Sequence, residues 1–290
     1  RYGEVVSHAI RRCDFDDYLL RRTRCELLLN ESLRSLERDG EHWMLNGSIR
    51  ARWVIGAGGH FCPVAKLVVP RPPEQEEPVV LAQESEFELN DDELAGCPVS
   101  GERPELYFCP DLAGYGWIVR KGRFLNVGLG REHERHLGDH VAAFVSFLKE
   151  RGRLTVDPKE PFRGHAYRLR RYAPTLEPPD GVLLIGDSVG LAVPQSGEGI
   201  RPAIESGLIA AKVLRELPDA PPQAVSAAFR AQFIHRFGAP RTRTAEPPAW
   251  KKQLRRIAAA SLMRTGWFTR HVLLDQWFLG RQLEPLFAGS

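Results

Sequence analysis

The stretch 182-VLLIGDSVGLAVPQSGEGIR-201 contains the strongest structural signal in the chain. Four consecutive apolar residues, 182–185, predict a buried strand. Gly186 and Asp187 follow at once, and a glycine-containing loop then leads into a helical pattern that starts near Ile200. The order strand, acid, loop and helix is typical of the ligand-binding edge of an α/β sheet.

The residue types in this loop suit a polyol and an anionic group. An ionised Asp187 accepts hydrogen bonds from hydroxyl groups. Because Gly197 and Gly199 have no side chains, backbone N–H groups there can approach a ligand closely. A helix that begins near Ile200, with Pro202 in its first turn, directs its positive end toward the same place. A reduced flavin would use all three features. The alternative is a strand–turn–helix in which the glycines serve only a tight backbone turn.

Composition narrows the class of protein. The chain has 290 residues, 43% of them hydrophobic, and a formal net charge of +3. Residues 230–290 hold 11 Lys and Arg against 3 Asp and Glu, so the basic character is terminal. A terminal patch alone does not predict nucleic-acid binding. The five cysteines show no metal-ligand spacing, and no apolar run approaches a membrane span. We therefore predict a cytoplasmic protein without a metal site.

Strand and helix patterns alternate along the first half of the chain. Predicted strands or extended runs are Glu4–Ile10, Leu27–Leu36, His42–Leu45, Ile49–Ile55, Val79–Leu89 and Leu106–Leu129. Predicted turns lie at Asp39-Gly40, Asn46-Gly47 and Lys121-Gly122, and 70–78 is predicted to be an exposed connection. Asp14 is the expected N-cap of a first helix, and a second covers about 139–151. After an extended stretch at 164–171 and the stretch quoted above, the chain is predicted to be mostly helical. The mixture predicts an α/β (α+β mixed) fold.

Four stretches resemble one family in the same order along the chain. The quoted stretch resembles the second flavin-contact motif of FAD-dependent oxidoreductases with the p-hydroxybenzoate hydroxylase fold, and it is most similar to their geranylgeranyl reductase-like group. Arg12-Cys-Asp-Phe-Asp-Asp-Tyr-Leu19 resembles the R-x-x-F-D-x-x-L segment. Trp53 to Ala65 resembles the G-A-D-G strand and turn, and Tyr115-Gly-Trp117 with Asn126-Val-Gly-Leu-Gly130 resembles the strands over the substrate pocket.

The resemblance implies a cofactor and a set of contact residues. FAD is the implied cofactor, bound through Arg12, Gly186, Asp187, Pro194, Gly197, Glu198, Gly199 and Ile200. Tyr115 and Trp117 are the implied substrate contacts, with ordinary core packing as the alternative. The family pattern implies no metal and identifies no catalytic residue here. Two departures stand out: Gly58 replaces the acid of G-A-D-G, and Val119-Arg120 replaces the F-P that follows Tyr-x-Trp.

The glycine fingerprint G-x-G-x-x-G, with which this family begins, is absent from the sequence. We therefore expect an N-terminally truncated flavin domain that binds FAD weakly or not at all by itself, because that loop holds the pyrophosphate. The predicted domains are 1–60 with 160–215 for the rest of the FAD-binding domain, 61–159 for a substrate-binding antiparallel sheet, and 216–290 for a helical C-terminal segment.

The implied activity is reduction of carbon–carbon double bonds in a prenyl or other apolar substrate, by hydride transfer from reduced flavin. The electron donor is left open between NAD(P)H and ferredoxin. One alternative is a flavin-dependent monooxygenase or halogenase, and another is a non-catalytic fragment or lipid-surface module. Residues 249–280 combine a basic stripe with an aromatic one. This pattern is typical of peripheral membrane contact, and its alternative is a solvated basic face on helices packed over the substrate domain.

Overall fold

The computed structural model describes residues 2–69, 79–132, 136–170, 177–239, 248 and 257–285. The chain packs as two compact units. The first, here called the sheet unit, comprises the described residues within Arg1–Leu29, Val80–Ala166 and Pro248–Gly266; the second, the loop unit, comprises those within Asn30–Val79, Tyr167–Pro247 and Trp267–Ser290. This packing groups residues up to Leu29 with the sheet. The predicted domain boundaries concern cofactor and substrate binding, and they remain a prediction.

The elements follow one another in a mixed order. The strands are β1 (Leu36–Asp39), β2 (His42–Leu45), β3 (Ile49–Ala51), β4 (Val54–Gly56), β5 (Val80–Glu88), β6 (Glu105–Phe108), β7 (Gly114–Lys121), β8 (Phe124–Glu132), β9 (Arg163–Tyr167) and β10 (Val182–Leu184). The helices are α1 (Arg12–Arg21), α2 (Pro63–Val68), α3 (Asp91–Ala95), α4 (Leu137–Glu150), α5 (Ile200–Glu216) and α6 (Pro222–Phe237). Short 3₁₀ turns cover Gly59–Phe61 and Gly186–Val189, residues 257–263 are helical, and a turn at Gly266–Phe268 continues as the π-helix Thr269–Phe278.

The sheet unit is built on five strands in the order β6-β7-β8-β5-β9. The pairs β6–β7, β7–β8 and β8–β5 are antiparallel. Lys121 pairs with Phe124 across the predicted turn, where Gly122 has a φ of 62°. The predicted strand runs over 79–89 and 106–129 are confirmed, because alternating apolar and polar residues suit a sheet with one buried face.

Helix α4 covers one face of this sheet. Its apolar residues recur every three or four positions, which puts them on one side of the helix. With the inward residues of β5, β7 and β8 they form a buried cluster, which includes Phe87, Ile118, Leu125, Val127, Leu129, Leu137, Val141, Phe144 and Leu148. Gly116 admits the ring of Phe144, since a Cβ at 116 would lie 2.5 Å from that ring. The core of the sheet unit therefore lies between β5, β7, β8 and α4.

The loop unit contains a parallel pair, β4 and β10, and the antiparallel meander β1-β2-β3. Val182 and Leu184 pack with Trp43, Val54 and other residues on one side of the pair. Leu183 packs on the other side with residues of α5 and α6, namely Ile209, Ala210, Val213, Val225 and Phe229. Both faces of β10 are buried, which explains its unbroken apolar sequence. The predicted strand at this position is confirmed.

Four local predictions near the N-terminus are wrong or only partly met. Residues 4–10 form no strand: most of them are exposed, and no strand in the described ranges pairs with their backbone. Helix α1 begins at Arg12 with Arg11 as N-cap, so Asp14 lies in the first turn instead. The predicted strand 49–55 splits into β3 and β4, which belong to different sheets. In the predicted run 27–36 only Leu36 enters a strand, β1.

The C-terminal prediction is only partly covered by the structure. Trp250 and the basic residues 251, 252, 255 and 256 lie outside the described residues. Within the described part, Trp267 is 68% exposed, and Ile257 and Leu262 are also exposed. Over the described ranges, no helix combines the length and the apolar character that crossing a membrane requires.

Candidate functional site

The strand–loop–helix around Asp187 is held closely together in the loop unit. The Ile185 N–H donates to the Gly56 carbonyl at 3.1 Å, which extends the β4–β10 pairing by one residue. Gly186 has a φ of 59°, a conformation that favours glycine, and its N–H donates to the buried Ser206 Oγ at 3.0 Å. Ser206 belongs to α5. The 3₁₀ turn after β10 is therefore fastened to the first turns of α5.

The Asp187 carboxylate lies beside the start of α5. A Cβ at Gly199 would lie 3.3 Å from Asp187 Oδ1 and 3.5 Å from Oδ2, so the missing side chain leaves room for the acid. The positive end of a helix stabilises a nearby carboxylate. The structure thus brings together Asp187 and Gly199, which the sequence analysis assigned to one site.

Two backbone donors stand at the same helix start. Over the described residues, the N–H groups of Gly199 and Ile200 have no hydrogen-bond acceptor. The next amide is occupied, because the Arg201 N–H donates to Glu198 Oε1 at 2.6 Å. The Ala203 N–H donates to the Gly199 carbonyl at 3.0 Å and continues into the helix. An acceptor group of a ligand could therefore bind to the first two amides.

Glu198 has a structural contact within the loop. One of its carboxylate oxygens caps α5 at Arg201, and the other lies 3.6 Å from the Arg201 guanidinium. Arg201 also donates to the Leu279 carbonyl at 3.2 Å, which joins the helix start to the C-terminal segment. The contact of Glu198 with a cofactor remains a prediction.

The remaining loop residues are held by short backbone bonds. The Gly197 N–H donates to the Val193 carbonyl at 2.8 Å, and the Val193 N–H donates to the Glu198 carbonyl at 2.9 Å, which closes a tight loop around the half-buried Pro194. Gly197 has a φ of 69°, and a Cβ there would lie 2.5 Å from the hydroxyl of Tyr167. Tyr167 is thus a neighbour of this loop to which the sequence analysis assigned no role.

Arg12 lies in the sheet unit and is exposed. Its guanidinium pairs with Asp16 on the same helix, Nη2 to Oδ2 at 3.2 Å. The preceding residue, Arg11, makes the longer-range contacts instead: it lies 3.4 Å from Glu86 Oε1, and its guanidinium is 3.8 Å from the ring centroid of Phe124. A role of Arg12 in dinucleotide binding remains a prediction.

Tyr115 and Trp117 lie on the face of the sheet opposite α4. Both are half-buried, and their ring centroids are 6.0 Å apart. The indole of Trp117 lies over Gly128, since a Cβ at 128 would come within 2.2 Å of the indole Cζ2. Neither residue belongs to the cluster buried under α4. Core packing against α4 is therefore not their role, and substrate contact remains a prediction.

A polar network that the sequence analysis missed continues from Trp117. The indole Nε1 donates to Asn126 Oδ1 at 2.7 Å, and Asn126 Nδ2 donates to Glu84 Oε2 at 3.2 Å and to Glu86 Oε2 at 3.3 Å. Lys121 Nζ also binds Glu86, at 2.8 Å. Acids at alternate positions of a strand share one face, so the spacing of 84, 86 and 88 was a signal for this network.

A second set of charged residues, Arg131 and Asp111, lies at the end of the sheet face that α4 covers. Arg131, which is 8% exposed, donates through both terminal nitrogens to Asp111, with the shorter bond at 2.6 Å. Burial raises the pKa of the Asp111 carboxyl, but hydrogen bonds from Arg131 and the Ala113 N–H outweigh burial and hold that pKa below its ordinary value. Burial, the largest effect on Cys109, raises the pKa of its thiol. This corner is therefore an ion pair with an unreactive thiol.

Comparison with known proteins agrees with the predicted resemblance. The chain is 28% identical over 228 residues to digeranylgeranylglycerophospholipid reductase of Methanocaldococcus jannaschii, which covers 72% of this chain and 55% of that protein. It is 27% identical over 229 residues to the Methanococcus aeolicus protein of the same name, with coverages of 74% and 56%. The predicted resemblance to the geranylgeranyl reductase-like group is confirmed. The chain spans about half the length of the curated relatives it matches. No family model matches it.

Solved structures support the fold. A geranylgeranyl bacteriochlorophyll reductase-like protein from Thermoplasma acidophilum superposes with a TM-score of 0.53 at 20% identity, over 87% of this chain and 62% of that one. A variant of HpxO from Klebsiella pneumoniae complexed with FAD superposes with a TM-score of 0.50 at 14% identity, with coverages of 87% and 64%. The predicted α/β (α+β mixed) fold of the p-hydroxybenzoate hydroxylase type is confirmed.

Proposed function

We propose that the chain is part of an FAD-dependent oxidoreductase of the geranylgeranyl reductase-like type, which reduces carbon–carbon double bonds of a prenyl or other apolar substrate. The similarity to digeranylgeranylglycerophospholipid reductases supports this proposal. The observation that carries it is the arrangement of Asp187, Gly199 and Ile200, in which a carboxylate meets, at one helix start, two N–H groups that have no acceptor among the described residues.

The residues at this helix start fit a flavin. The Asp187 carboxylate accepts hydrogen bonds, as the hydroxyls of a ribityl chain require. The N–H groups of Gly199 and Ile200 would donate to the edge of the ring that becomes negative on reduction. A side chain at Gly197 or Gly199 would contact Tyr167 or Asp187, so the glycines also keep this arrangement open. When bound, reduced FAD supplies the hydride.

The proposed substrate surface is aromatic, in contrast to the polar helix start at Asp187. Tyr115 and Trp117 present half-buried aromatic rings on one sheet face, which suits an apolar chain. Their burial against the substrate would exclude water from it. The proton of the reaction comes from a protein group or from water.

Flavin content tests the cofactor proposal directly. We would measure flavin absorbance and dissociation on the full-length product of the gene, with Asp187→Ala and, as matched control, the exposed Asp219→Ala. In the full-length product we expect bound flavin, about tenfold weaker binding after Asp187→Ala because charge-assisted hydrogen bonds are lost, and no change after Asp219→Ala. A full-length product that stays colourless in both oxidising and reducing purification would exclude the flavin.

Anaerobic turnover distinguishes the reductase from the oxygenase alternative. With a chemically reduced flavin and a polyprenyl alkene, the reductase consumes the double bond without oxygen. Oxygen-dependent product hydroxylation or halogenation would support the alternative. Within the sheet unit, the exposed Ile257 and Leu262 of one helix support peripheral contact with a lipid surface as a further part of the proposal.

A further inference from the structure

On the sheet face that carries Tyr115 and Trp117, glycines of β8 lie between aromatic residues of β7 and residues of β5, and the Trp117 indole lies over Gly128; this strip of the face is here called the trough. Two cross-strand rows cross it: Trp117, Gly128 and Glu84 in one, and Tyr115, Gly130 and Ala82 in the next. Directly opposed residues on one face of a sheet are side-chain neighbours. Because the middle residue of each row is glycine, no side chain of β8 separates the aromatic residues from the β5 side in these rows.

Two acids of the trough, Glu86 and Glu84, differ in the number of cations that pair with them. Glu86 is paired with two cations, Lys121 at 2.8 Å and Arg11 at 3.4 Å. Glu84, on the same face of β5, accepts one hydrogen bond, from Asn126 at 3.2 Å. Among the residues that the structure describes, no Lys, Arg or His nitrogen lies within 4.0 Å of its carboxylate. Counting only described residues, Glu84 is therefore a half-buried acid of the trough with no cationic partner.

The position of Glu84 is fixed relative to the aromatic surface. Asn126, which is 3% exposed, holds the Trp117 Nε1–H with its oxygen and the Glu84 carboxylate with its nitrogen. A fully buried amide with both ends bonded has one orientation. The indole face and the Glu84 carboxylate are thus held next to each other, one apolar and one an acceptor.

A half-buried carboxylate with one hydrogen bond retains capacity for several more. Removing it from water under a ligand costs free energy unless the ligand replaces the lost bonds. A hydroxyl donor would do so, and a phosphate would meet like charge. We propose that the ligand of this trough is an isoprenoid-like chain whose polar end is a hydrogen-bond donor such as a hydroxyl, accepted by Glu84, and that Glu84 excludes anionic head groups. The apolar part of this inference rests on the proposed function.

Three probes of equal chain length test the inference by calorimetric titration of this chain: farnesol, its methyl ether and farnesyl monophosphate. We expect farnesol to bind about tenfold more tightly than either of the others, because only it donates a hydrogen bond without adding a negative charge. In Glu84→Gln, we expect the preference for the alcohol over the ether to fall to a few-fold and binding of the monophosphate to strengthen about tenfold.

Glu88→Gln is the matched control, because Glu88 lies on the same face of β5, is exposed and pairs with Arg123. The Glu88→Gln variant should bind the three probes with the same relative affinities as the wild type. Equal binding of farnesol and its ether by the wild type would overturn the inference while leaving the isoprenoid proposal standing. The inference would also be overturned, with the isoprenoid proposal left standing, if the wild type bound the monophosphate most tightly. Equal affinity ratios among the three probes in Glu84→Gln and Glu88→Gln would have the same meaning. Binding of none of the probes would overturn both proposals. The wild-type comparison needs no variant to fold.

Discussion

The same strands form both faces of the five-stranded sheet, but one face is apolar and the other carries a polar network. Toward α4, Ile118 and Val127 are fully buried among apolar neighbours. On the other face, their immediate neighbours Trp117 and Asn126 are joined by a hydrogen bond and continue into a network of acids and cations. Alternate residues of a strand point to opposite faces. One sequence segment can therefore supply a stable core on one face and a polar network on the other.

The energetic difference between the faces should be large. Burying an aliphatic or aromatic side chain contributes about 1.5–3 kcal/mol. The partly exposed ion pairs of Glu86 on the other face contribute about 1 kcal/mol or less each. Substitutions toward α4 should mainly change stability, and substitutions on the other face should mainly change binding.

The largest effect is expected at Phe144, whose ring fills the space over Gly116. Phe144→Ala should lower the free energy of unfolding by about 3–5 kcal/mol, measured by urea denaturation. Phe147 is the matched control, because it stacks on Phe144 with centroids 6.3 Å apart but is only partly buried. Phe147→Ala should lower the free energy of unfolding by about half as much. Equal losses would mean that the core does not centre on Phe144.

A smaller effect on stability, with a larger one on binding, is expected at Gly128. An alanine there would meet the Trp117 indole at 2.2 Å and the Gln83 carbonyl at 2.9 Å. We expect Gly128→Ala to lower the free energy of unfolding by about 1–3 kcal/mol and to weaken farnesol binding by about tenfold, because the indole must move away from its place over residue 128.

Gly130→Ala is the control on the same strand and face. Its Cβ would meet ordinary contacts, the nearest being Ala82 Cβ at 3.5 Å. We expect nearly unchanged stability and at most a few-fold change in binding. If both alanines weaken farnesol binding equally, the indole position does not determine recognition on this face.

The smallest effect is expected at the charged end of the α4-covered face. Because the pKa of Asp111 is held below its ordinary value in the folded protein, its pairing stabilises the fold above about pH 4 and is lost as the pH falls through the lowered pKa. Asp111→Asn should cost about 1–2 kcal/mol at pH 7. In urea titrations, the gap between the two proteins should close as the pH falls from 5 toward 2. A gap that stays constant would show that the Asp111 charge contributes nothing.

The comparison of the faces also shows how far the sequence alone could be interpreted. Alternation along a strand puts Tyr115 and Trp117 on the same face, and β7 has them so. It did not predict the partner of Trp117, since Asn126 comes from the next strand and Glu84 from 42 residues earlier. The failed strand prediction at 4–10 has the same cause, because β propensity is realised only when another strand supplies hydrogen bonds.

Local sequence by itself determined the strand–loop–helix at 182–201. An unbroken apolar run, a Gly-Asp turn and a helix start are short-range signals, and they hold whatever surrounds them. Only the tertiary structure decided that the Asp187 carboxylate lies beside Gly199 and that Glu86 pairs with two cations. Within the part of the chain that the structure describes, it also left the Gly199 and Ile200 amides without an acceptor and Glu84 without a cation. Distances and charge balance depend on residues brought together by folding, and no periodicity in one segment records them.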